Sequence, residues 1–125
     1  MVMIKLFLFV FIGGGLGSVF RYGAACLLAQ FFTSAFPFVT FGVNIIGSLL
    51  IGLFLATPAI ADNNSYLCLL TVGFCGGFTT FSAFSWESIT LLKEGNLFLF
   101  FAYVLLTVSF CLLATWGGYT FGKQL

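Results

Sequence analysis

Four long apolar runs, joined by links of a few residues, take up nearly all of the chain between Ile4 and Phe121. A bilayer core needs roughly 20 apolar residues per helix, and the runs, about residues 4–32, 38–57, 66–92 and 97–121, meet that length. The links are Thr33-Ser34 up to Pro37, Pro58 with Asp62-Asn63-Asn64-Ser65, and Lys93-Glu94-Gly95-Asn96, in which Gly95 suits a left-handed helix stop. Within lipid only a helix satisfies its own backbone, so each run is expected to be helical. Composition closes off the other classes. Only 6% of the residues are charged and 62% are hydrophobic, against about a quarter charged in soluble domains. A net charge of +1 offers no basic patch for nucleic acid, and the absence of His removes the usual neutral-pH base and metal ligand. No length is left for an extramembrane catalytic domain. The expectation is a single all-α membrane domain of four transmembrane helices, and not an enzyme.

Lys5, the apolar stretch after it and Ala24-Ala25 superficially fit a cleaved signal peptide. Arg21 interrupts that pattern and the run continues past Ala25, so cleavage is not expected. Cys26, Cys68, Cys75 and Cys111 lie inside apolar runs without metal-ligand spacing and read as small lipid- or core-facing residues. With four spans, the termini and the Asp62–Ser65 loop share one side, which carries Lys5 and Lys123; Arg21 and Lys93 fall on the other. Two against two is no positive-inside bias. Either the chain simply has few charges, or it inserts both ways and pairs with an antiparallel copy.

Polar groups inside a membrane are costly and usually functional. Gly13-Gly14-Gly15 and Gly17 suit close helix packing, and Arg21 either snorkels or lines a vestibule that attracts anions. Asn44 shares a face with Gly47 and Ser48. It reads as packing glue, or as an uncharged pair of N–H donors for a small anion. In the third run, Gly76-Gly77 followed by Thr79-Thr80 reads as a helix end, a short unwound stretch and a fresh Thr- or Ser-capped start, or as a mere glycine kink. Beyond it Phe81, Phe84, Ser85 and Ser88 fall on or near one face, with Ser82 beside them and Glu87 just past the stripe. Ring edges are positive and could hold an anion. Tyr103, Thr107, Cys111 and Thr115 recur every four residues along the last run. No carboxylate precedes Glu87 in the apolar parts of the first three runs, so donors for an anion dominate over acids for a cation.

Gly13-Gly14-Gly15-Leu16-Gly17 leading to Arg21-Tyr22, Gly42-Val43-Asn44-Ile45-Ile46-Gly47-Ser48 and, above all, the run from Gly73 through Gly76-Gly77-Phe78-Thr79-Thr80-Phe81-Ser82-Ala83-Phe84-Ser85-Trp86-Glu87 resemble the Fluc (CrcB-type) fluoride channels over essentially the whole chain. The resemblance implies an antiparallel, dual-topology homodimer in the bacterial cytoplasmic membrane, with two pores that passively export fluoride and give fluoride resistance. It implies a broken third helix and a structural sodium ion at the dimer centre, held by backbone carbonyls at Gly76 and Thr79. Phe81 and Phe84 match the pore phenylalanines and Asn44 the pore-facing amide. Ser82, Ser85, Thr107 and Thr115 match the hydroxyl track, with Tyr103 and Glu87 near its end and Arg21 at the aqueous entrance. Ala83 stands where the family pattern has Thr, and Cys111 where relatives often have Ser. A small multidrug-type exporter would need a buried acid that this sequence lacks. A non-transporting assembly subunit would use the polar stripe only as glue.

Overall fold

A computed structural model describes residues 1–125 as an all-helical chain with four stretches long and apolar enough to cross a membrane. Helix α1 spans Val2–Leu28 and α2 Phe38–Ala56, followed by a single turn, α3, at Pro58–Ala61. The first helix stops four residues short of the end of its apolar run. Phe31 and Phe32 both donate to the Leu28 carbonyl, at 3.0 and 3.2 Å, and the Ser34 hydroxyl takes the Phe36 amide at 3.0 Å. Phe36 also precedes a proline, where helical geometry is disfavoured. Apolarity sets where the chain meets lipid; these turns set where the helix ends.

The third crossing, Asn64–Lys93, is built in pieces. Asn63 caps α4 (Asn64–Tyr66) by accepting the amides of Ser65 and Tyr66. A π-helical stretch follows at Leu67–Cys75, then α5 at Gly76–Phe78. Thr79 (φ −77°, ψ 156°) and Thr80 (φ −149°, ψ 115°) are extended, and α6 runs from Phe81 to Lys93 with the Thr80 hydroxyl capping the Ala83 amide at 3.2 Å. Glycines 76 and 77 are themselves helical, and the helix ends at Phe78, one residue beyond them. Gly95, at φ +77°, is the one residue with a positive φ. Its amide bonds the Leu92 carbonyl and that of Asn96 bonds Leu91, a Schellman ending. Helix α7 then spans Leu97–Gly122.

Two close helix pairs organise the bundle: α1 lies along the π-helical stretch and α5, and α2 lies along α7. Each pair meets backbone to backbone at glycine. A Cβ at Gly13 would strike the Leu69 carbonyl, and one at Gly17 that of Phe74. In the other pair, Gly118 faces the Leu49 carbonyl and Gly52 that of Thr115. Without a hydrophobic gain between helices in lipid, such fit is what binds them. Only 18 of 125 residues are buried, and Phe11, Phe98 and Trp116 stand well exposed, so the outer surface is as apolar as the inside. The small core gathers Phe84, Leu91 and Tyr103, with Phe36 and Phe41 packed on it.

Candidate functional site

The interruption at Thr79–Thr80 is held by α2. Gly47 lets that helix close on Thr79, whose methyl group occupies the place a Cβ at 47 would need. Asn44, one turn earlier, then reaches Thr80 with both ends of its amide. Its Oδ1 accepts the Thr80 N–H at 2.8 Å, and its Nδ2 donates to the Thr80 carbonyl at 3.0 Å. In an unbroken helix the Thr80 amide would bond the Gly76 carbonyl, and the Ala83 amide that of Thr79. Here the first goes to Asn44 and the second to the Thr80 hydroxyl. The carbonyls of Gly76 and Thr79 thereby lose their ordinary donors, while the Thr79 hydroxyl turns back to the Cys75 carbonyl at 2.8 Å. Two freed carbonyl oxygens are hard ligands of the kind an alkali cation takes.

Around this point lies a cavity of about 470 Å³ whose walls include Asn44, Gly76, Thr79, Phe81, Phe84 and Thr107. Phe81 and Phe84 sit with ring centroids 5.5 Å apart, the first exposed and the second buried. Thr107 is buried, and its Oγ1 is the one buried side-chain oxygen or nitrogen without a hydrogen-bond partner. Since burying an unpaired hydroxyl is unfavourable, this is a donor waiting for an acceptor. A second cavity, of about 370 Å³, adjoins the first and is lined by Arg21, Thr40, Thr80, Ala83 and Glu87 among others. Glu87 is anchored there from two helices: Thr40 donates to Oε1 and the Tyr103 hydroxyl to Oε2, each at 2.7 Å. Tyr103 is fully buried, its ring 5.1 Å from that of Phe84.

Not every residue singled out from the sequence joins these walls. Ser82, Ser85, Tyr103 and Thr115 line neither cavity. Ser85 donates to the Phe81 carbonyl at 2.9 Å, while Thr115 lies at hydrogen-bonding distance from the carbonyls of Ser48 and Cys111. Ser82 is exposed, its hydroxyl 3.2 Å from that of Thr80. Thr40 and Thr80 are among the wall residues that the sequence reading did not assign to the site. Thr40 carried a signal, lying one helical turn before Asn44 on the same face. Thr80 was visible only as a helix cap.

Comparison with known proteins places this geometry in context. A family model described as CrcB-like protein, Camphor Resistance (CrcB), matches residues 8–119. A protein of Flavobacterium psychrophilum named fluoride-specific ion channel FluC is 43% identical over 123 residues, covering 97% of this chain and 99% of that one. Proteins of the same name from Phocaeicola vulgatus (49% over 102 residues, 81% of this chain and 84% of that one) and Bacteroides fragilis (45% over 124 residues, 96% and 98%) are similar as well.

Proposed function

The chain belongs to the CrcB family of membrane proteins, and on that premise we propose that it is a fluoride-specific ion channel, which lets fluoride run down its gradient out of the cell and so gives fluoride resistance. The observation that carries this reading is the similarity to relatives of that name along nearly the full length of both chains. The cavity chemistry agrees with it. The wall of the larger cavity, mostly apolar, includes an amide, hydroxyls and two phenylalanine rings, groups that can stabilise a small anion without trapping it as a full positive charge would. The one carboxylate in the neighbourhood, Glu87, is tied to two hydroxyls in the adjoining cavity.

Finer readings follow from the same premise. The working unit is an antiparallel homodimer: Lys and Arg are balanced at two per side, and Phe81 and Gly76 stand exposed at the edge of a cavity that also holds Asn44, Thr79 and Thr107. A structural sodium ion sits where two copies meet, held by the Gly76 and Thr79 carbonyls that the helix interruption deprives of donors. The ion supplies a fixed positive charge and satisfies those acceptors. The bilayer concerned is the bacterial cytoplasmic membrane, the barrier across which cytoplasmic fluoride has to leave.

The test is reconstitution into liposomes loaded with fluoride, with external fluoride read by a selective electrode. Passive fluoride efflux, with no requirement for a proton gradient, is expected. Proton-coupled cation transport without fluoride flux would place the chain among exporters instead, and no flux of either kind would make it an assembly subunit.

A further inference from the structure

We propose that Thr80 is the partition between the two cavities and that its side chain determines which anions cross; this rests on the fluoride-channel reading. Thr80 is the only residue that lines both cavities. On one side lies the chamber lined by Arg21 and Glu87, where the guanidinium draws anions from water and the carboxylate is engaged by the Thr40 and Tyr103 hydroxyls. On the other lie Phe84 and the unpartnered Thr107 hydroxyl, a region with no formal charge on its walls. An ion collected at Arg21 has to give up its water at this wall. The wall is rigid: Thr80 is 7% exposed, its peptide groups are both bound by Asn44 at 2.8 and 3.0 Å, and Asn44 is itself 8% exposed. A β-branched side chain on a fixed backbone has few rotamers to choose from, so the opening cannot widen to suit a larger ion.

The hydroxyl is also oriented. One lone pair of the Thr80 oxygen accepts the Ala83 amide at 3.2 Å. Its own proton is left to donate, either to the Ser82 hydroxyl 3.2 Å away or to an ion at the wall. Ala83 supplies no hydroxyl from the second cavity, so on this reading Thr80 is the donor at the crossing and its methyl group is the part that excludes a larger ion. Asn44 acts through Thr80 as a positioning residue, in addition to any contact of its own with the ion.

The proposal separates the two halves of one small side chain. Thr80→Val keeps the volume and removes the donor; fluoride flux should fall about tenfold, equivalent to about 1.4 kcal/mol of lost stabilisation in the crossing. Thr80→Ser keeps the donor and the Ala83 cap but removes the methyl group. Fluoride flux should stay within about twofold of wild type while chloride flux rises about tenfold, since a looser wall discriminates less. A purely structural role for Thr80 as a cap leaves the chloride-to-fluoride ratio of Thr80→Ser unchanged, because the cap survives. Liposome flux of both halides, with dimer recovery checked by size exclusion, reads all of this. Wild-type fluoride flux in a well-folded Thr80→Val, or an unchanged halide ratio in Thr80→Ser, overturns the assignment. If Thr80→Val does not fold, the Thr80→Ser ratio decides alone. Absence of fluoride flux in the wild type defeats the channel reading itself, an outcome distinct from variants that match a conducting wild type.

Discussion

Phe81 and Phe84 are neighbours with opposite surroundings: the first is 79% exposed and the second 8%. Their substitutions should therefore divide. Phe81→Ile removes an exposed ring from the cavity wall and loosens one contact in the core, with Phe84, so it should lower fluoride flux with little loss of thermal stability. Phe84→Ile removes a ring that packs on Tyr103 and should lower both. Comparing flux with the melting of purified protein separates the two. Asn44→Asp is a sharper case. The carboxylate can still accept the Thr80 amide but now faces the Thr80 carbonyl with no proton to donate, a mismatch worth about 1–3 kcal/mol. Loss of flux together with a lower melting temperature is expected, and wild-type behaviour in both would remove Asn44 from the site. Asn44 stood out in the sequence as a rare amide within an apolar run. Its partner did not, because Thr80 lies 36 residues on and no periodicity links the two. The same holds for Glu87, whose holders Thr40 and Tyr103 come from two other helices.

At the scale of elements, the four apolar runs and the Gly95 stop could be read from residue order, since length, polarity and turn chemistry are local. The π-helical wind of Leu67–Cys75 could not. A π-helix uses the same residue types as an α-helix, and its altered hydrogen bonding leaves no mark in hydropathy. The glycines show a similar divide. All look alike in sequence, yet only some touch another helix. Gly17→Val should unseat α1 from the third crossing, because a side chain there meets the Phe74 carbonyl and the Phe78 amide; backbone at such a contact cannot yield, and a cost above about 2 kcal/mol follows. Gly15→Ala, with nothing near its Cβ, should instead stabilise α1 by about 0.5–1 kcal/mol. Thermal denaturation of the two variants in one detergent checks the contrast.

At the scale of the whole molecule, the proposed pairing of copies is what can be tested. A Cβ at Gly76 meets nothing within 4 Å, so Gly76→Val should leave one chain's fold intact. If copies meet there around sodium, the same change should abolish dimer recovery and flux, whereas replacing Thr79 by Ser should spare both, because the oxygen offered is backbone. Exchanging sodium for a bulky organic cation should likewise weaken the dimer, as cross-linking yield would show. Orientation can be tested through charge: three Lys added to the Asp62–Ser65 loop should silence the protein expressed alone, and an oppositely biased copy should restore it. Full activity from one locked orientation would show that the copies are not antiparallel. The scarcity of buried residues, 18 in 125, carries a further consequence. A surface that lipid tails wet as readily as protein gives a copy no reason of solubility to prefer its twin over the bilayer. If the channel is a pair of copies, assembly obeys mass action in two dimensions, so the active fraction should fall as the protein is diluted with lipid, and a cell that makes few copies should have disproportionately little fluoride conductance.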